Sequence, residues 1–337
     1  MHNKLSYIFL GFLLCLLSGA FFLGYLSPSE LPHETFAASR TIVYEGDLYT
    51  VNNQSDTLKI TSKGDIRKLF GERPGQILVG KGYKILNEQS FAVDLFLLDN
   101  NGKDIKKIGD KPAEYALFDN RGTSVIYLST DGVVRKHDIM TGEDVEIANR
   151  ASVPSLSPDD SKLAYKKMPE GWTPGEYADG SPGIVVKDIK TGKERILADK
   201  EADHAAFWTP DGRFIYFFGD NGYGIDSLFM IDSDGKNRTL LTNIEMTEYV
   251  PNEVIPSISE PPAISEDGRY FVYESDREIW LIETDLSNRK VQSAKKIGYG
   301  TSPAWVEDGE IISIVFNENN KQQKSLVLVD IDGNVIK

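Results

Sequence analysis

The 337-residue chain has one cysteine and four histidines. Cys15 lies in an apolar N-terminal stretch, so the rest of the chain has no disulfide and no thiol chemistry. The histidines are His2, His33, His137 and His204, and none falls in a zinc-type cluster. A Ser/His/Asp triad needs a positioned histidine, and no Gly-x-Ser-x-Gly elbow occurs. His137 reads as a strand residue just before a turn. His204, at the start of a strand, is the one that could face a central channel, and a structural role is the reading taken for it. Clustered basic residues are also missing. Lys and Arg total 37 against 51 Asp and Glu, a net charge of −14. This excludes nucleic acid, whose phosphates demand a basic footprint, and a polybasic membrane patch.

Other partial signatures fail on inspection. Asp232-x-Asp234-Gly and Asp330-x-Asp332-Gly lack the further ligands and terminal Glu of a calcium loop. Gly298-Tyr-Gly-Thr-Ser lacks the lysine of a phosphate loop. No catalytic residue, metal site or cofactor is expected.

The chain does contain one long apolar run. Leu5 to Leu26 has no charged side chain, and as a helix at about 1.5 Å per residue it spans a bilayer core. Lys4 precedes it and Glu30 and Glu34 follow, which places the N-terminus inside and the bulk of the chain outside. The expected organisation is a cytoplasmic tail (1–4), a transmembrane anchor (5–26), a linker (27–40) and an extracytoplasmic domain (41–337). Cleavage near Ala20, giving a secreted product, is the alternative.

The domain is a repeat. Turns read Asp99-Asn-Asn-Gly, Asp138-Ile-Met-Thr-Gly, Asp188-Ile-Lys-Thr-Gly, Asp232-Ser-Asp-Gly and Asp330-Ile-Asp-Gly, with worn copies at Glu283 and Thr61. A second turn precedes most of them: Ser157-Pro-Asp-Asp, Thr209-Pro-Asp-Gly, Ser265-Glu-Asp-Gly, Val306-Glu-Asp-Gly and a degenerate Asp119-Asn-Arg-Gly. Both kinds join apolar β-rich runs. Two hairpins per repeat make a four-stranded antiparallel unit, strands A to D, with turn spacings of 38 to 51 residues. This is the period of an all-β propeller. Seven blades are counted. Six is the alternative, with 41–70 as a closing strand or lead-in.

The Ser-Pro-Asp-Asp and Thr-Pro-Asp-Gly motifs, each followed by an apolar strand, resemble the TolB-like repeats of WD40-like propellers. The resemblance covers residues 115–337 well. It implies propeller architecture, in a family that includes envelope binding proteins and the propeller halves of some peptidases.

Two insertions depart from the repeat, 168–183 between strands B and C of one unit and 243–260 joining strand D of the next to strand A of its successor. A shorter B–C extension spans 219–226. Successive loops of an up-and-down sheet alternate between its ends, so all three share one rim. Long loops in compact domains often carry function. Trp172, Tyr177, Tyr223 and Tyr249 offer rigid contact area, and acids including Glu176 and Glu248 favour a cationic partner. The expectation is a binding scaffold in a bacterial cell envelope, with a protein or glycan partner. The alternative is a lyase, lactonase or glycosidase with carboxylates in the channel.

Overall fold

The computed structural model describes residues 40–51, 57–85, 91–172, 180–200, 203–222, 226–241, 262–265, 267–275, 277–305, 311–317 and 320–335. These are all β, with no α-helix among them. Strands β1 (Arg40–Tyr44), β2 (Asp47–Val51) and β3 (Thr57–Lys59) form one sheet. A seven-stranded sheet follows: β4 (Ile66–Arg73), β5 (Gln76–Ile85), β6 (Phe91–Leu98), β7 (Asp104–Phe118), β8 (Ser124–Ser129), β9 (Val133–Asp138) and β10 (Asp144–Asn149). Two four-stranded sheets come next. They are β11 (Ser155–Leu156), β12 (Lys162–Lys167), β13 (Gly183–Asp188) and β14 (Glu194–Ala198), then β15 (His204–Trp208), β16 (Phe214–Asp220), β17 (Asp226–Asp232) and β18 (Thr239–Leu240). The last sheet is β19 (Ala263–Ile264), β20 (Tyr270–Ser275), β21 (Glu278–Asp285), β22 (Lys290–Trp305), β23 (Ile311–Asn317) and β24 (Asn320–Val329). Within each sheet every strand pairs antiparallel with its sequence neighbours, as the repeat predicts.

The larger sheets contain two long strands that each serve two units. The first part of β7 pairs with β6 and its second part, Ala113–Phe118, with β8. Likewise β22 pairs with β21 up to Tyr299 and with β23 from Gly300. Each is the outermost strand of one unit and the innermost of the next.

Side-chain alternation then stacks the units face to face. In β16, Phe214 through Gly219 are all buried, as expected for a strand covered on both faces. Phe214, Tyr216 and Phe218 pack with Phe271 and Tyr273 of β20. Ile215 and Phe217 pack with Ala164 of β12 and Val186 of β13. Fully burying each of these large side chains contributes about 1.5–3 kcal/mol. Among the described residues, six such cores run in chain order, from Leu48 with Ile77 to Trp305 with Val329. The two ends of the series meet, because β1 lies against β22.

His137 is buried as a strand residue, its Nδ1 3.1 Å from Asp144 Oδ1. The same carboxylate accepts a 2.7 Å bond from the Tyr127 hydroxyl. The next unit repeats the pattern, with Tyr165 donating to Glu194 at 2.7 Å and Lys187 at 3.5 Å. His137 thus stands where expected, in a strand just before a turn.

One expected turn is different. The segment at Thr61 is not a hairpin turn inside a sheet but the crossover from β3 to β4. Thr61 hydrogen-bonds back to β2, its Oγ1 accepting from Leu48 N and donating to Asp47. The worn copy at Glu283 is a turn, displaced to Asp285–Lys290.

Candidate functional site

The two ends of the ring are built differently. At the end carrying the A–B and C–D turns, the sequence motif explains itself. Ser157 Oγ donates to Asp159 at 2.6 Å and accepts from Lys162 N at 2.9 Å. Thr209 and Ser265 do the same with Asp211 and Asp267. The turns also meet one another. A Cβ placed on Gly212 would sit 3.5 Å from Pro158, and one on Gly268 would sit 3.1 Å from Pro210. The proline of each turn therefore seats against the glycine of the next. Further out, Lys106 donates to the Ile139 carbonyl at 2.8 Å, Arg195 to Ser233 at 2.7 Å and Arg289 to Asn237 at 3.0 Å. Such contacts are individually weak where exposed, but they join the turns of neighbouring units at this end.

The opposite end carries the B–C and D–A connections. Residues 168–182 lie between β12 and β13 and 243–260 between β18 and β19, whereas the expected 219–226 extension shrinks to 221–225, because Gly219 and Asp220 still pair with Ser227 and Asp226 across β16 and β17. The consecutive strand order puts all three on this end. Trp172 is half-buried, its backbone N–H donating to the Pro169 carbonyl at 3.3 Å. Tyr177, Glu176, Tyr223, Tyr249 and Glu248 lie outside the described residues.

At this loop end the inner strands begin, and three of them begin with an irregularity. The ladder slips between Ala113 and Tyr115 in β7, between His204 and Phe207 in β15, and between Thr301 and Ala304 in β22. Bulges re-aim side chains and recur near binding sites. Glu114, His204 and Thr301 occupy the same repeat position, five residues before the turn residues 119, 209 and 306. Burial pushes the Glu114 carboxyl above its ordinary value, and Lys68 opposes that push. The Lys68 ammonium lies 5.3 Å from the Phe70 ring centre and 5.9 Å from that of Tyr115. Those rings meet edge to face at 6.3 Å. A half-buried carboxyl within electrostatic reach of an ammonium braced by two aromatic rings can exchange a proton or receive a polar ligand.

His204 is half-exposed and packs on Phe218 with ring centres 6.2 Å apart. The next residue, Ala205, has φ of 50°, a conformation uncommon for a residue with a side chain. Asp203 fixes this strained start. It is fully buried and takes two bonds from Arg238, at 2.7 and 2.9 Å. The guanidinium lies over Phe229 at 4.3 Å and Phe217 at 4.9 Å. Gly219 leaves room for the pair, since a Cβ there would stand 2.3 Å from Asp203 Oδ1.

Sequence reasoning found His204 but missed Glu114 and Lys68. Aligning the repeats on their turns would have exposed Glu114 as the counterpart of His204. Among the described residues no three His, Cys, Asp or Glu side chains gather in a metal-holding group.

Comparison with solved structures fits this architecture. No protein-family model matches the sequence. Hydrazine synthase of Kuenenia stuttgartiensis superposes with a TM-score of 0.60 at 12% identity, covering 92% of this chain and 100% of that one. An oligogalacturonate lyase in complex with manganese gives 0.58 at 13% identity, covering 89% of this chain and 84% of that one. TolB from Acinetobacter baumannii gives 0.51 at 16% identity, covering 88% and 77%. The fold is that of a TolB-like β-propeller. At these identities the likeness speaks for architecture alone, so function has to come from the site. Among the described residues no helix is long and apolar enough to cross a membrane, and residues 5–26 lie outside them.

Proposed function

We propose that the chain is a membrane-anchored, extracytoplasmic propeller that captures an envelope protein or glycan on its loop end, as a scaffold rather than a catalyst. The observation carrying this reading is the asymmetry of the ends. One is locked by turn-to-turn contacts, and the other holds every long insertion around an inner rim with Glu114 and His204. The apolar segment at 5–26 supports the anchor.

We read the ring as seven blades. In this reading β1–β3 are strands B, C and D of the first blade. Gly46 accepts from Ile66 N, and Thr41 N donates to Glu72, so β1 runs antiparallel beside β4. It is placed there as β12 is placed beside β15.

Trp172→Ala and Tyr249→Ala should each weaken capture of the partner, identified by crosslinking in native cells, while leaving the melting temperature within about 2 °C of the parent. Equal capture by variant and parent would defeat the reading.

A second reading has one observation behind it. The raised Glu114 carboxyl beside Lys68 suits a general acid, and an oligogalacturonate lyase shares the fold. If the channel is catalytic, Glu114→Gln should lower turnover about 100-fold or more on a uronate polymer. A parent chain with no turnover on such polymers removes this alternative.

A further inference from the structure

We propose that the loop end holds a saccharide site where β4, β5 and β6 meet the inner part of β7, with a ring of a neutral oligosaccharide stacked on Tyr83 and its hydroxyls bonded to Glu114 and Lys68. This rests on the loop-end binding reading above and narrows it to a glycan. Strands β5 and β6 are strands B and C of their unit, so Tyr83, near the end of β5, stands at the loop end. Two ladder slips bring the groups to one level. Strand β5 places Gly82 and Tyr83 opposite the single residue Val93, since Lys81 pairs with Asp94 and Lys84 with Ala92. On its other side Val93 pairs with Ala113, next to the slip that carries Glu114. The backbones at Tyr83 and Glu114 are therefore about 10 Å apart, with one strand between them. Lys68 pairs with Gly80 from the other side of β5.

An aromatic series ties these positions into one surface. Tyr83 stacks on Phe91 with ring centres 5.0 Å apart and planes 21° off parallel. Phe91 and Phe70 pack against the same core, which holds Val93. A Cβ on Gly80 would stand 2.3 Å from Val93 Cγ2 and 3.1 Å from Phe70 Cε2, so the missing side chain lets the Phe70 ring lie down on β5. Phe70 then meets Tyr115, the residue after Glu114. Phe91 steadies Tyr83 from behind, yet Tyr83 is 53% exposed. A fixed ring face open to solvent offers apolar area at little entropic cost. The apolar C–H face of a pyranose fits such a ring, and its hydroxyls need donors and acceptors nearby. Glu114 and Lys68 supply them. Burial favours the uncharged form of Glu114, in which the carboxyl donates as well as accepts. Charge selects a neutral sugar. The chain carries −14, and the insertions of this end include Glu170, Glu176, Glu245 and Glu248, so a polyanion is repelled.

The test uses the full chain in a detergent without a sugar headgroup. Neutral tetrasaccharides of glucose, N-acetylglucosamine, mannose and galactose are titrated in by calorimetry, with tetragalacturonate as the charged counterpart. The proposal expects at least one neutral sugar to bind, and to bind more tightly than the uronate. Tyr83→Ala and Glu114→Leu should each weaken that binding about tenfold. Met140→Ala, at the turn end and 93% exposed, should leave it within about twofold. Melting temperatures show that the variants are folded, and if Glu114→Leu is not, Tyr83→Ala decides alone. Unchanged binding in Tyr83→Ala, no binding of any neutral sugar, or tighter binding of the uronate each overturns the sugar site. The loop-end reading survives those outcomes, because crosslinked capture through Trp172 measures it separately. Sugar binding weakened by Met140→Ala and not by Tyr83→Ala puts the ligand at the turn end and overturns both.

Discussion

Replacing Arg238 with alanine is expected to lower stability by about 3–5 kcal/mol, because it leaves the Asp203 carboxylate uncompensated in the interior. Asp203 has no exposed surface, and its two bonds to Arg238 are its only side-chain ion pair among the described residues. The guanidinium also covers Phe217 and Phe229, so some of the loss is packing. A double substitution, Asp203→Ala with Arg238→Ala, separates these contributions. It removes the stranded charge and should recover at least half of the loss, since deleting both partners is far milder than deleting one. Urea unfolding midpoints for the three chains provide the check. A single variant within about 1 kcal/mol of the parent would mean that water reaches Asp203 freely.

Acid should open the ring over a narrow interval. Hydrogen bonds from Ser157 and Ser161 hold Asp159 at about 2. Burial pushes Asp131 up, but bonds from Lys111 and Ser129 and the charge of Arg135 bring it to about 2. Asp211 and Asp267 are likewise lowered by Thr209 and Ser265 against the push of burial. Backbone and side-chain bonds lower Asp138, Asp188, Asp285 and Asp330 in the other turn series. All these groups ionise more readily folded than unfolded. Their stabilisation is therefore complete above the ordinary carboxylate range near pH 4 and fades as pH falls from about 4 toward 2. Melting temperature should be nearly flat from pH 5 to 7 in this respect and drop steeply below about 4. Asp159→Asn should flatten the lower part of that drop. A parent melting temperature unchanged at about pH 2.5 would refute the assignment.

Much of this architecture was legible before any coordinates. Aspartate and glycine punctuate both hairpin series, and each turn needs a residue that accepts positive φ, Gly in most and Asp160 or Arg289 in two, so the strand order followed from local chemistry. The continuous apolar strands such as Phe214–Phe218 announced a sheet covered on both faces. The prolines of Ser-Pro-Asp and Thr-Pro-Asp read as turn formers. Their second task, seating against Gly212 and Gly268 of the following unit, is a contact between repeats, and no single repeat displays it. Thr61 misled because Gly64 copies the turn signal in a crossover. Glu114 was invisible for a related reason. Its environment is made by Lys68 and Phe70, more than forty residues away, and by a slipped ladder that leaves no mark in composition. Trp172 alone of the six expected contact residues has a described position.

The shared strands carry a mechanical consequence. Where β7 and β22 run unbroken from one unit into the next, there is no slack peptide between neighbours, only hydrogen-bonded ribbon. Those two junctions are welds, whereas at 60–65 and 150–154 the chain passes between units outside any named strand. A protease probing the native molecule should spare the welds and release the adjoining wedges on either side of β7 as one inseparable piece.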